Sequence, residues 1–312
     1  MPVALTGEAP APEDQTGQAW VASMTDNPLI HGMFDFFIRA MSAINYEDIP
    51  AGRMMNYLRT FGRLKGVTTT VKDGNGGTTR ALVQAMERHG ATLVTVAAVR
   101  SVLTAEGRAR GVVFRDRHGV EREVAAGAVV ANVGPRATVA LAGRDRFPAD
   151  HLRAVDALVP TVATTVIWSY EKPLGSYDGF YSFIDCPRLT TIWEPYHLWP
   201  TYAGGGTCCA YAFLTMKGRD VAAELAAGVA EAHAQFPALE KARVVTSLMM
   251  RDGWPILRAS GAGLPVRTPL AGLWSVGDGN MPDGWLCGEG VVMGVLEAVQ
   301  DIRGAGAAGG AR

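Results

Sequence analysis

Two periods of apolar residues alternate along this 312-residue chain, and the period assigns each element. Between Ala19 and Ala43, Trp20 and Met24 precede a break at Pro28. Ile30, Met33, Phe34, Phe37, Ile38 and Met41 then recur at steps of three and four, which defines one face of a helix. A second helical stretch runs roughly over 50–61. Asn75-Gly-Gly-Thr opens a third helix at about Thr78, His89-Gly90 closes it, and a strand is expected near 92–96. A hairpin follows, with strands at 98–104 and 110–116 about a turn at Glu106-Gly107, then a strand at 121–124 after a turn at 117–119. Ala128-Val-Val-Ala-Asn-Val-Gly-Pro is apolar up to a Gly-Pro break, which suits a strand buried on both faces. A linker-like helix should run from Phe147-Pro148 to about Leu158.

Beyond that point the pattern becomes aromatic. Strands are expected at 162–170, 179–184, 190–193 and 208–213, rich in Tyr, Trp, Phe and Thr, the residues favoured on pleated surfaces. Val221, Leu225, Val229 and His233 mark a helix, and 243–250 a further strand. Leu273 to Val276 reads as a short apolar strand, followed by Gly277-Asp278, a Gly-rich turn and a helix from about Glu289. Residues 1–18 should form a loose arm and the Gly/Ala-rich 304–312 a disordered tail. Two kinds of segment therefore interleave. Residues 71–155 and 262–303 look like parts of a nucleotide-binding layer; 19–70 would contribute helices, and 156–261 a sheet and helix, to a substrate domain. The expected fold class is α/β with mixed α+β character: a partial Rossmann-like layer interleaved with a domain of mixed β-sheet plus helices.

Composition narrows the function. Hydrophobic residues are 48% and charged residues 19%, which marks a globular chain. A formal net charge of −1 gives no electrostatic case for nucleic acid or an anionic membrane. Cys186, Cys208, Cys209 and Cys287 show no metal-ligand spacing, so no metal and a reduced, cytoplasmic setting are expected. The N-terminus shows no signal-peptide pattern, and the uncharged stretch 157–170 is too short to span a bilayer. The apolar helix with Phe34, Phe37 and Ile38 leaves peripheral membrane contact open, and core packing explains it equally well. Gly304-Ala-Gly306-Ala-Ala-Gly309 is a literal Gly-x-Gly-x-x-Gly, but no strand precedes it and the sequence given ends three residues on.

The order of Gly-Gly and helix, strand, hairpin, apolar strand ending Asn-x-Gly-Pro, and finally strand, Gly277-Asp278 and Gly-rich turn resembles the phytoene desaturase and flavin amine oxidase superfamily over about residues 18–303. The resemblance implies FAD as cofactor. It puts Val99 or Val102 beside the adenine, Gly277 and Asp278 at the ribityl chain, and Gly288-Glu289-Gly290 near the pyrimidine end of the flavin, with Gly284 and Trp285 nearby. Met293-Gly294 replaces a Ser-Gly of that family. Each residue also has a plainer role: Asp278 as a turn aspartate, Glu289 as a first-turn helix acid, Trp285 as a plug of the domain junction. Tyr170, Tyr196, Trp199 and Trp254 are candidate walls for a small hydrophobic or ring substrate, against an aromatic-rich sheet core as the plainer role for most such residues. Arg251 would bind a carboxylate or pair with Asp252 or Asp283, and His197 is a weak candidate proton carrier against a structural role.

A full member of that superfamily opens with strand, Gly-x-Gly-x-x-Gly and helix, which hold the dinucleotide's diphosphate. Residues 1–312 contain no such unit in context. A split enzyme is therefore expected, in which a second polypeptide supplies the unit and the pair dehydrogenates its substrate. The alternative is a non-catalytic binding or assembly subunit that keeps the fold without the cofactor. The apolar strand at 129–133 favours the first, because such a strand needs neighbours on both edges and cover on both faces.

Overall fold

The computed structural model describes residues 14–63, 74–160, 163–175, 179–194, 208–215, 220–250, 258–260, 263–282, 285 and 287–309. In chain order the first elements are α1 (Gly17–Ala22), α2 (Pro28–Ser42), α3 (Ala51–Arg63), α4 (Gly74–Arg88), β1 (Ala98–Ala105), β2 (Arg108–Arg115), β3 (Glu121–Ala125), β4 (Val129–Ala131), α5 (Pro135–Ala142) and α6 (Ala149–Asp156). There follow β5 (Val159–Pro160), β6 (Ala163–Tyr170), β7 (Gly179–Ser182), β8 (Leu189–Glu194), β9 (Cys208–Thr215), α7 (Val221–Gln235), β10 (Arg243–Met250), β11 (Arg258–Ser260), β12 (Leu273–Ser275) and α8 (Cys287–Gly309).

Local chemistry sets the boundaries. Thr16 Oγ1 accepts the Ala19 N–H at 3.2 Å to cap α1, and Asn27 Oδ1 accepts the Leu29 N–H at 3.0 Å to cap α2 ahead of Pro28. Glu106 (φ 52°) and Gly107 (φ 69°) are both left-handed, the two-residue turn whose twist matches its flanking strands. The Gly134-Pro135 pair, read from sequence as a break, also starts α5. Pro135 sits in its first turn, where a missing N–H costs nothing.

Two expectations differ from the structure. Residues 92–96 form no strand, since no described residue offers them a ladder; Leu93, Val94 and Val96 are exposed, and Val96 has a φ of 54°. In addition, α8 runs through 304–309, the first part of the stretch expected to be a disordered tail.

The chain divides into two compact units: 1–61, 157–262 and 284–286 form the first, and 62–156, 263–283 and 287–312 the second. In the first, a five-stranded antiparallel sheet has the order β10-β6-β9-β8-β7. Val166 and Trp168 of β6, Leu189 and Ile192 of β8, and Ala232 of α7 pack together in its core. Alternation puts Thr164, Val166, Trp168 and Tyr170 on one face of β6. Arg188 clamps α7 to the start of β8. It donates to both Glu224 oxygens at 2.9 and 3.1 Å and to Glu231 at 3.3 Å. The helices α1 to α3 close on Ile38, Ile44, Ile49, Met54 and Met55. Fully buried Arg39 pairs with Asp35 one turn earlier in α2 and ties the helix to the Pro187 carbonyl.

The second unit holds the antiparallel meander β1-β2-β3 and a parallel pair, β12 and β4, in the register Leu273↔Val129, Trp274↔Val130, Ser275↔Ala131. The Ala109 N–H donates to Ala271 O at 2.8 Å and joins the meander to the turn before β12. Val266, Trp274, Val276 and Ala298 form the core beneath. The small side of α8, Gly290, Gly294 and Ala298, is buried. Its other side is also apolar, yet Val292 is 56% and Leu296 47% exposed.

Candidate functional site

Parallel strands deliver their loops to one end, and ligands of such sheets lie beyond the carboxyl ends of the strands. Here β4 and β12 run side by side and end at Ala131 and Ser275. The Val276 N–H extends the ladder by donating to Ala131 O at 2.9 Å. The next residues, Asn132 on one chain segment and Gly277 on the other, touch. Gly277 has a φ of 109°, and a Cβ there would stand 2.2 Å from Asn132 Oδ1. Both the backbone angle and the neighbour therefore require glycine.

Gly277 starts a short 3-10 turn over Asp278–Asn280, closed by the Asn280 N–H donating to Gly277 O at 2.9 Å. Beneath it lies a buried polar chain. Ser275 Oγ donates to Asn280 Oδ1 at 2.7 Å, and Asn280 Nδ2 donates to Pro265 O at 3.2 Å. Thr138 Oγ1, in the first turn of α5, donates to Gly134 O at 2.8 Å and stands 3.4 Å from Ser275 Oγ. The turn is thus held from β12, from the 265 segment and from the start of α5.

Asp278 projects from this fixed turn. Its carboxylate is half-buried, and among the described residues no group donates to it. Burial pushes the Asp278 carboxyl above the usual carboxylate range. A partly desolvated acceptor with open lone pairs, at the carboxyl ends of parallel strands, is suited to bind ligand hydroxyl or N–H donors. These residues fit the ribityl side of a flavin: one carboxylate acceptor, a glycine with no side chain beside it, and a helix packed behind. That helix is α8, whose Gly294 lies so near Asn280 O, Pro282 and Val266 that an added Cβ would be 3.4 to 3.6 Å from them.

The other sequence candidates are more scattered. Gly288 and Glu289 are exposed in the first turn of α8, and Gly290 is buried. Val99 is exposed near the start of β1, and Val102 is buried. Trp285 belongs to the first unit and is 36% exposed. The Tyr170 hydroxyl donates to Glu194 Oε1 at 2.5 Å, and the fully buried Glu194 also accepts the Leu174 N–H. This phenol is a lock inside the sheet unit. Gly284, Tyr196, His197, Trp199, Arg251 and Trp254 lie outside the described residues.

Sequence reasoning missed Asn132, Thr138, Ser275 and Asn280. The only cue was their position, at the two strand ends. It also missed a concavity of about 520 Å³ in the first unit, lined by His31, Asp35, Tyr46, Glu47, Asp185 and Cys186 among others. There His31 Nε2 donates to Thr25 O at 2.9 Å, which leaves Nδ1 of a neutral ring to accept from Tyr46 Oη at 3.4 Å. Burial first, then Asp35, holds the Tyr46 phenol above its ordinary value. Among the described residues no cluster of three metal-ligating side chains occurs, and no helix is long and apolar enough to cross a membrane.

No family model and no curated protein matches this chain. Solved structures do. An oxidoreductase from Methanosarcina mazei superposes with a TM-score of 0.81 at 23% identity, over 93% of this chain and 68% of that one. A putrescine oxidase variant from a redesign of cofactor binding gives 0.71 at 14%, over 94% and 68%. The cyclohexylamine oxidase of Brevibacterium oxydans gives 0.58 at 12%, over 95% and 71%. At these identities the likeness establishes the fold alone: mixed helices and open sheets arranged as in these solved oxidoreductases.

Proposed function

We propose that this chain forms the substrate-side and ribityl-side part of an FAD-dependent oxidoreductase that dehydrogenates a small hydrophobic or ring substrate. A second polypeptide, bearing the Gly-x-Gly-x-x-Gly unit, completes its flavin pocket. The observation that carries this reading is the Asp278 carboxylate, half-buried and with no donor among the described residues, at the joined ends of β4 and β12. FAD, when bound, supplies the hydride acceptor. The chain's own residues position it: Asp278 accepts from its hydroxyl groups, Gly277 lets it approach the backbone, and α8 backs the turn.

The completing unit is argued from the second unit alone. Two parallel strands do not stand by themselves, because such a ladder needs neighbours at its edges and helices on its faces. Val130 of β4 is 46% exposed, and the outer side of α8 is apolar and bare. The 92–96 segment, with no ladder partner among the described residues, adds further exposed aliphatic surface. The solved oxidoreductases, matched over about two thirds of their length, have additional chain with which to cover such surface.

Co-purification with a co-expressed polypeptide bearing that unit tests the reading. The expected product is a yellow complex with a flavin absorbance band, and Asp278→Ala should release the flavin on gel filtration. A well-folded, colourless complex that Asp278→Ala leaves unchanged would instead support the non-catalytic binding or assembly role.

A further inference from the structure

The buried polar chain beneath the Asp278 turn has no counterpart in the expectations drawn from sequence, and its chemistry fixes its direction. A carbonyl oxygen only accepts, so Pro265 O must face the Asn280 NH₂, and Asn280 Oδ1 must face Ser275. Thr138 has given its one proton to Gly134 O, which leaves the Ser275 proton for Asn280. Asn280, Ser275 and Thr138 are each at most 3% exposed. The amide cannot flip without setting acceptor against acceptor at one end. Its backbone N–H also closes the turn on Gly277 O. A side chain so fully committed does not bind a ligand itself. It locks the two-residue reach between Gly277 and Asn280 from which Asp278 projects.

We infer that Asn280 is a positioning residue. Through Ser275 and Pro265 it holds the 277–280 turn against the ends of β4 and β12, and so aims the Asp278 carboxylate at the hydroxyl groups it is to receive. The inference rests on the reading of Asp278 given above, and two measurements separate the two.

The first uses the full chain without flavin and follows the Asp278 carboxyl carbon by NMR as pH is varied. In Asn280→Ala the turn loosens toward water, so the Asp278 midpoint should fall toward the ordinary carboxylate value. Ser275→Ala, which removes a single donor and keeps the fold, should move it part of the way. An unchanged midpoint in variants that still unfold cooperatively overturns the inference, whatever the chain binds.

The second uses the complex of the full chain with its completing polypeptide and FAD as the probe, read by flavin fluorescence. Asn280→Ala should weaken FAD about tenfold, the effect of one lost charge-assisted hydrogen bond. In an Asp278→Asn background Asn280→Ala should then add nothing, because it acts through that carboxylate. Additive losses would mean a general structural role and sink the proposal. If the unaltered complex takes up no FAD, the flavin reading fails by itself, and the carboxyl titration still decides the positioning role.

Discussion

Burial raises the Asp278 carboxyl above the ordinary range, and no donor among the described residues offsets it. For an acid whose folded pKa is raised, folding takes up a proton between the unfolded and folded values, and stability falls as pH climbs through that window. Asp278→Asn removes the titrating group. The variant and the unaltered chain should melt together at acid pH, where both are uncharged at this position. As pH rises through the carboxylate range a gap should open in favour of the variant, and calorimetry at a series of pH values measures it. The same variant should lose flavin retention, the usual exchange of stability for function at a binding site. Gly277 makes the complementary case. Its φ of 109° and the 2.2 Å that would separate a Cβ from Asn132 Oδ1 exclude any side chain. Gly277→Ala should cost about 1–3 kcal/mol in urea unfolding from the backbone angle, and more from the collision. Asn132→Ala in that background should recover the collision part and leave the backbone part.

At the scale of elements, the Arg188 clamp shows how a strand and a helix are locked together at a distance in sequence. Its guanidinium reaches two glutamates of α7, while Glu231 also accepts the N–H groups of Arg188 and Leu189 at 2.9 and 2.8 Å. Arg188→Ala leaves two partly buried carboxylates facing each other without a cation. It should destabilise the protein by about 2 kcal/mol, read as a shift in urea midpoint at constant slope. Such pairings mark the limit of what the sequence discloses. Elements whose signal is local were legible: β10 at 243–250, the hairpin turn at Glu106-Gly107, and the strand, Gly277-Asp278 and helix order at the site. Those that depend on distant partners were not. The apolar run 92–96 has strand-like residues, but pairing is a property of two segments. β4 stops at Ala131, before the expected break at Gly134-Pro135, and the start of α5 was missed because proline suits a first turn as well as a break. Tyr170 reads from sequence as a candidate substrate wall, and its hydrogen bond to Glu194, 24 residues on, is visible only in the folded sheet. Asp278 was legible as a candidate; the Asn280 amide that locks its turn was not, because its partners Ser275 and Pro265 become visible only once β12 and the 265 segment lie side by side.

At the scale of the whole chain, surface chemistry argues for association. A helix apolar on opposite sides is ordinarily covered on both. In α8 one side packs on the 278–280 turn and β12, and the other presents Val292, Val295, Leu296 and Val299 to solvent. With a formal net charge of −1 and a mean hydropathy of +0.09, long-range repulsion does little to keep copies apart. Expressed without the completing polypeptide proposed above, the chain should therefore self-associate, with a sedimentation coefficient that rises with concentration; co-expression with that polypeptide should replace that behaviour with one discrete species. Leu296→Lys separates coverage from folding. The residue is 47% exposed, so the change should leave the chain's own stability within about 0.5 kcal/mol. It would, however, place an ammonium group in the apolar contact and prevent the discrete complex from forming. A complex that tolerates the lysine unchanged would show that the outer side of α8 stays in water, and the cover for the β4–β12 pair would then have to be sought at its strand edges and at the exposed 92–96 segment.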